Sequence, residues 1–164
     1  MNKKIAIAAL ASLALMGCQT TSKTDQTKSN SGYSELASAA LMGAVQTWSK
    51  QGAANTDLVS AIQSSANISS EQAIGGMGSL LALAQNSLGS SEKSELAGLV
   101  PGFDSLQSSG LTAMIANNET VKSAFSALGM DPSLISTFTP IILSALQSQG
   151  ASSGLLDNLG AIWK

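Results

Sequence analysis

Histidine and arginine are both missing from this 164-residue chain, and cysteine occurs only once. Without histidine the chain lacks the commonest general base and metal ligand, so no Ser-His-Asp triad can form and we expect no metal or other cofactor. The single cysteine excludes an intramolecular disulfide. Charged residues make up 11% of the chain, too few for the basic patch that nucleic-acid binding requires.

Aromatic residues are also scarce, at 4% of the sequence. A hydrophobic core must therefore be built mainly from Leu, Ile, Ala and Met. We expect Phe103, Phe125 and Phe138 to anchor that core rather than to form an aromatic ligand cage.

Residues 1–17 read as a lipoprotein signal peptide. Lys3 and Lys4 provide the positive start, and the apolar stretch from Ile5 to Met16 has signal-peptide length but is too short to span a bilayer. The following Gly17-Cys18 completes the run LMGC, which resembles the lipobox of bacterial lipoproteins.

That resemblance implies lipid attachment at Cys18. The thiol would carry diacylglycerol, and the new N-terminus would commonly be acylated with a fatty acid such as palmitate. Two or three acyl chains hold a protein durably on a membrane. In the sorting rule known for such lipoproteins, Asp after the cysteine favours the inner membrane. This chain has Gln19 there, so we expect the outer membrane, facing the periplasm.

The lipidated cysteine and the residues after it, 18–32, form a predicted disordered tether. The sequence QTTSKTDQTKSNSG contains no apolar residue and cannot offset the entropy of ordering by burial. A flexible coil of this length reaches roughly 20 Å.

Residues 33–164 are predicted to form a single all-α domain, an irregular bundle of six to eight short helices. No stretch shows sustained strand alternation. The first helix carries an apolar stripe at helical spacing, made of Leu36, Ala37, Ala40, Leu41, Ala44, Val45 and Trp48. Gly52 would stop it, and Asp57 would open a second helix.

Several local signals mark the later helices. Ser69 and Gln72 have capping-box spacing and open a third helix. Its glycines Gly75, Gly76 and Gly78 indicate either close helix contact or a loose start.

Further boundaries follow from proline, glycine and capping residues. Pro101-Gly102 ends one helix, Asn118 caps another that closes at Gly129, and Asp131-Pro132 opens a third. Pro140 should kink or split the helix it lies in, and the terminal Trp163 should dock on the bundle.

Candidate catalytic groups are few. Ser90 and Lys93 have the S-x-x-K spacing that resembles the nucleophile motif of penicillin-binding proteins, but the S-D-N and K-T-G elements of those enzymes are absent. Glu92, Glu95 and Asp104 could converge as paired carboxylates, although helix N-termini explain acidic residues equally well. We therefore assign no catalytic residue.

Three segments carry a family resemblance: EKSELAGLVPGFDSL, VKSAFSALGMDPSLISTFTPIILSALQSQG and GLLDNLGAIWK. Together they resemble the bacterial VcgC/VcgE-type domain of unknown function, over about residues 68–164. The resemblance implies a compact helical domain and no particular activity, substrate or catalytic residue.

The sequence favours a non-enzymatic, membrane-anchored lipoprotein whose helical domain binds another envelope component, protein or polymer, through a neutral Ser/Gln-rich face. A periplasmic carrier of an apolar ligand is the alternative, suggested by Met42, Met77, Met114 and Met130, although methionine fills core gaps more often. A serine hydrolase using Ser90 and Lys93 is the third hypothesis. The partner, its binding residues and the oligomeric state stay open.

Overall fold

A computed structural model describes residues 31–50 and 56–164 of the chain. Within these ranges every regular element is helical, which confirms the all-α fold class. The helices are α1 (Ser31–Lys50), α2 (Thr56–Ala66), α3 (Ser70–Ser87), α4 (Ser90–Leu99), α5 (Ser105–Ser109), α6 (Leu111–Met114), α7 (Asn118–Ala127), α8 (Ile135–Ser148) and α9 (Ser153–Ile162). A 3₁₀ turn over Pro132–Leu134 precedes α8.

Helix α3 is the centre of the bundle. It is buried on all sides from Gly75 to Gln85, and it contacts α1, α2, α5, α6, α7, α8 and α9. A helix that is apolar around its whole circumference can be stable in water only inside such a ring. Its buried Ser79 is satisfied locally, because its hydroxyl donates to the Gly75 carbonyl at 2.8 Å.

The three glycines of α3 let neighbouring side chains approach the helix backbone. A Cβ atom at Gly76 would lie 2.6 Å from Cε1 of Phe138, and one at Gly75 would lie 2.6 Å from Cδ1 of Leu128. At Gly78 it would lie 3.1 Å from the ring of Trp48. Of the two interpretations of these glycines, close helix contact is therefore confirmed.

Most predicted boundaries are confirmed. Ser69 and Gln72 form the capping box, with Gln72 N–H donating to the Ser69 hydroxyl at 3.2 Å and Ser69 N–H to Gln72 Oε1 at 3.0 Å. Asp131 caps the turn that begins at Pro132. Gly129, at φ 73°, adopts the left-handed conformation that ends α7.

The tryptophans and phenylalanines lie in the core as expected. Phe103, Phe125 and Phe138 are at most 1% exposed, and the last two make an edge-to-face pair with ring centroids 5.1 Å apart. The indole N–H of Trp163 donates to the Leu80 carbonyl of α3 at 2.9 Å, which confirms that the C-terminal tryptophan docks on the bundle.

Four details differ from expectation. Ser31 and Gly32, assigned to the tether, already belong to α1. The N-cap of α7 is Asn117 rather than Asn118, because its side chain is the one that accepts from Thr120 N–H at 3.0 Å.

The other two differences concern breaks in the chain. Of the two effects expected of Pro140, a kink or a split, the split does not occur, since α8 runs unbroken through it. The described part also has more helices than six to eight, and Gly110, at φ 80°, separates the short helices α5 and α6.

The signal peptide, Cys18, most of the tether and Gly52 lie outside the described residues. In the described ranges, no helix combines the length and the apolar character needed to cross a membrane.

Candidate functional site

Ser90 and Lys93 do not form a nucleophile pair in the structure. Both lie in the first turn of α4, where Ser90 is exposed and its carbonyl accepts the Ser94 hydroxyl at 3.0 Å. No hydrogen bond joins the Ser90 hydroxyl to the Lys93 amine in the described structure. The geometry therefore gives the serine no adjacent base to activate it.

The carboxylates of α4 bind α9 instead of converging on a reaction centre. Glu95 accepts two hydrogen bonds from Ser152, from the backbone N–H at 2.6 Å and from the hydroxyl at 2.9 Å. Glu92 accepts from Gly89 N–H at 2.8 Å and from the Asn158 side-chain amide. Both carboxylates thus connect the start of α4 to α9, and Asp104 is exposed elsewhere.

The methionines do not line one shared ligand chamber. Met77 and Met130 are buried in the core, Met114 is half-buried, and Met42 is exposed. Buried methionines packed among leucines are typical gap fillers. An apolar ligand would therefore have to bind at the surface rather than among these side chains.

The α2–α8 groove is a sizeable surface cleft among the described residues. It has a volume of about 660 Å³ and is lined by Asp57, Leu58, Ala61, Ser65, Pro140, Ile141, Ser144, Ala145, Ser148 and Gln149. The side chains of Ser65, Ser144 and Gln149 make no hydrogen bond within the described structure, so their polar atoms face solvent. The groove combines a short apolar floor with these unengaged polar groups.

A second surface cleft is the C-terminal cleft, between α7, α8 and α9, with a volume of about 560 Å³. Its lining residues are Asn118, Lys122, Pro132, Ser133, Ile135, Ser136, Thr139, Pro140, Leu143, Gly160, Trp163 and Lys164. Its lining surface is mostly apolar, and both volumes fall in the range of about 300–1,000 Å³ typical of small-molecule sites.

The charges of the two clefts differ in sign. Two of the four lysines in the described ranges line the C-terminal cleft, and no acidic side chain does. The α2–α8 groove has Asp57 as its charged residue. The hydrogen bonds from Ser133 to the Asp131 carboxylate, at the edge of the C-terminal cleft, hold its pKa below the ordinary value of 3.8.

Neither cleft was identified from the sequence. Ile135, Thr139 and Leu143 recur at i, i+4 and i+8, a spacing that marks one face of α8 and could have indicated a second apolar surface. Lys122 and Lys164 carry no such pattern. Only the docking of α9 beside α7 brings these two lysines to one cleft.

No group of three or more metal-ligating side chains (His, Cys, Asp or Glu) that could hold a metal ion occurs in residues 31–50 and 56–164. The acidic residues that stand closest in sequence, Glu92 and Glu95, are occupied by donors from α9 and from the start of α4.

Comparison with known proteins places this chain in a family whose function has not been defined. Residues 6–160 match the family described as "Protein of unknown function VcgC/VcgE (DUF2780)", and the chain belongs to that family. The match is longer than the resemblance seen over residues 68–164, and it includes α1, α2 and part of the predicted signal peptide. No curated protein and no solved structure gives a significant match.

Proposed function

We propose that this protein is a non-enzymatic lipoprotein of the cell envelope. Cys18 carries the lipid anchor, residues after it act as a tether, and the helical domain binds another envelope component through the α2–α8 groove. The observation that carries the proposal is the groove itself, a neutral to mildly acidic surface whose polar lining consists of three serines, one glutamine and Asp57.

The unengaged polar groups of the groove favour a polar partner. Ser65, Ser144 and Gln149 retain free donors and acceptors beside the apolar Ala61, Ile141 and Ala145. Interfaces combine such apolar patches with about one hydrogen bond per 100–200 Å² of buried area. A protein segment or a neutral polymer would satisfy both requirements.

Site-specific photo-crosslinking in intact cells tests the binding surface. A photo-reactive amino acid at Ser144 or Ser148 should give a discrete crosslinked species. The matched control places the same amino acid at Ser126, an exposed serine of α7 that lines neither cleft. Crosslinks of equal yield at all three positions, or no crosslinked species above a non-irradiated control, would contradict the proposal.

The anchor has a separate test. Metabolic labelling with an alkynyl fatty acid should modify the wild-type chain and not Cys18→Ser, and the variant should leave the membrane fraction. If Cys18→Ser kept both the fatty-acid label and its membrane association, the anchor assignment would be wrong. The groove hypothesis would not be affected.

The hydrolase alternative has a direct test as well. Because Ser90 has no adjacent base, the chain should not react with fluorophosphonate or β-lactam probes. Labelling that disappears in Ser90→Ala would overturn the non-enzymatic assignment.

A further inference from the structure

The walls of the C-terminal cleft expose very few hydrogen-bond donors. The Ser136 hydroxyl donates to the Ser133 carbonyl at 2.6 Å, and the Thr139 hydroxyl donates to the Ile135 carbonyl at 2.8 Å. The Ser133 backbone N–H donates to the Asp131 carboxylate at 2.8 Å. The hydroxyls of Ser136 and Thr139 are therefore already engaged inside the protein.

Two further polar side chains of the cleft are hydrogen-bonded inside the protein. The Asn118 amide donates to the Lys164 carbonyl at 3.0 Å, and the Trp163 N–H donates to the Leu80 carbonyl. Trp163 is 2% exposed and lies behind the half-buried Ile135 and Leu143. These side chains form an apolar wall in the cleft.

The positively charged donors at the cleft are the amines of Lys122 and Lys164. Lys122 lies 3.1 Å from Glu119, but the two side chains are 50% and 81% exposed, and such surface pairs contribute little. Lys122 can therefore exchange Glu119 for a bound anion at small cost. An apolar wall with two amines at its edge is complementary to an amphiphile whose head is negatively charged.

We propose that the C-terminal cleft binds a long-chain fatty acid, with the acyl chain along Ile135, Leu143 and Trp163 and the carboxylate between Lys122 and Lys164. An acidic peptide has the same charge, but its backbone carbonyls would lie against the apolar wall without donors, because the Ser136 and Thr139 hydroxyls are engaged. An acyl chain needs no donors. This inference is independent of the α2–α8 groove, so its failure leaves the proposed function standing.

Calorimetric titration tests the assignment. The full chain carrying Cys18→Ser, which has no lipid of its own, is purified without detergent. It is titrated with dodecanoate, with dodecanol and with a short acidic peptide. Dodecanoate should bind one to one and more tightly than dodecanol, by about fivefold for each lysine, and the peptide should not bind.

Two kinds of variant separate the acyl wall from the charged rim. Lys122→Gln combined with Lys164→Gln should remove the preference for dodecanoate and leave dodecanol binding unchanged. Gly160→Leu should fill the cleft and abolish both, since a Cβ there already lies 3.7 Å from Cδ1 of Leu143. Gly98→Leu is the matched control, because a Cβ at Gly98 has no neighbour within 4 Å.

Leu143→Gln, at a half-buried position, keeps the test valid if Gly160→Leu fails to fold. No binding of dodecanoate by the folded chain, unchanged binding in a folded wall variant, or preferential binding of the acidic peptide would each overturn the assignment.

Discussion

The packing of the central helix α3 depends on three positions that lack a Cβ atom. Glycine usually weakens a helix, by about 1 kcal/mol relative to alanine, yet α3 has three glycines at its most crowded positions. At each of these positions a Cβ atom would lie within 3.1 Å of a core side chain. That side chain is Leu128 at Gly75, Phe138 at Gly76 and Trp48 at Gly78. The three glycines lower the helix propensity of α3, but they allow closer contact with the neighbouring helices.

Gly76→Ala should destabilise the protein by about 1–3 kcal/mol in spite of its better helix propensity. The new methyl group would lie 2.6 Å from the fully buried Phe138 ring and 3.1 Å from the Phe125 ring. Urea denaturation followed by circular dichroism measures the change.

Gly98→Ala is the control for that substitution. It adds the same methyl group in open space on α4, so it should stabilise the protein by up to about 1 kcal/mol. If Gly76→Ala were stabilising as well as Gly98→Ala, close packing of Phe138 against Gly76 would be contradicted.

Gln85 is a buried polar residue with an unsatisfied hydrogen-bond acceptor. Its side chain is 5% exposed, and its Oε1 has no hydrogen-bond partner within the described structure. We expect Gln85→Met, which has similar shape and no polar atoms, to raise the free energy of unfolding by about 1 kcal/mol. Denaturant midpoints measure this change in stability. The control is Gln149→Met at an exposed position, which should leave the midpoint unchanged. A loss of stability in Gln85→Met would show that the amide has a partner such as buried water.

At the level of single elements, α8 is a helix that continues through a proline. Pro140 is the sixth residue of α8, beyond the first turn, so its missing N–H removes one hydrogen bond inside the helix. The start of the helix is held separately, because Asp131 caps the preceding 3₁₀ turn by accepting from Ser133 N–H at 2.8 Å. The helix therefore continues through a residue that is predicted from the sequence to kink or split it.

This capping makes the start of α8 sensitive to acid. The lowered pKa of Asp131 means that the charged carboxylate stabilises the fold above its unfolded value of 3.8, and that this contribution disappears as pH falls through the lower folded value. Asp131→Asn should thus lower stability at neutral pH, and its difference from wild type should vanish in strong acid.

Denaturant midpoints measured from about pH 7 to about pH 2 follow this difference. Ser133→Ala keeps the backbone hydrogen bond but removes the hydroxyl, so it should retain part of the pH dependence. A difference between Asp131→Asn and wild type that stays constant across the whole range would contradict the capping role.

Over the whole molecule, the N-terminal helices and the C-terminal half share one hydrophobic core. Leu41, Val45 and Trp48 of α1 are at most 4% exposed, and Ile62 of α2 is completely buried. Trp48 also donates from its indole N–H to the Gly102 carbonyl at 2.9 Å, 54 residues later in the chain. The two halves should therefore unfold together.

A chain that begins at Ser69 should lose cooperative folding, because removing α1 and α2 exposes the faces of α3 and α8 that they cover. Circular dichroism and denaturant titration, compared with the full chain carrying Cys18→Ser, provide the measurement. An unchanged unfolding midpoint would mean that the C-terminal half is an independent domain.

The sequence by itself determined the helical class, the apolar faces and most helix ends, because periodicity, capping residues and prolines act over a few neighbouring positions. Ser69, Asp131 and Trp163 are examples. Only the tertiary structure decided what the glycines of α3 permit, where Glu92 and Glu95 bind, and that Lys122 and Lys164 lie at one cleft. Those outcomes depend on residues tens of positions apart, whose proximity is set by helix packing rather than by any local pattern.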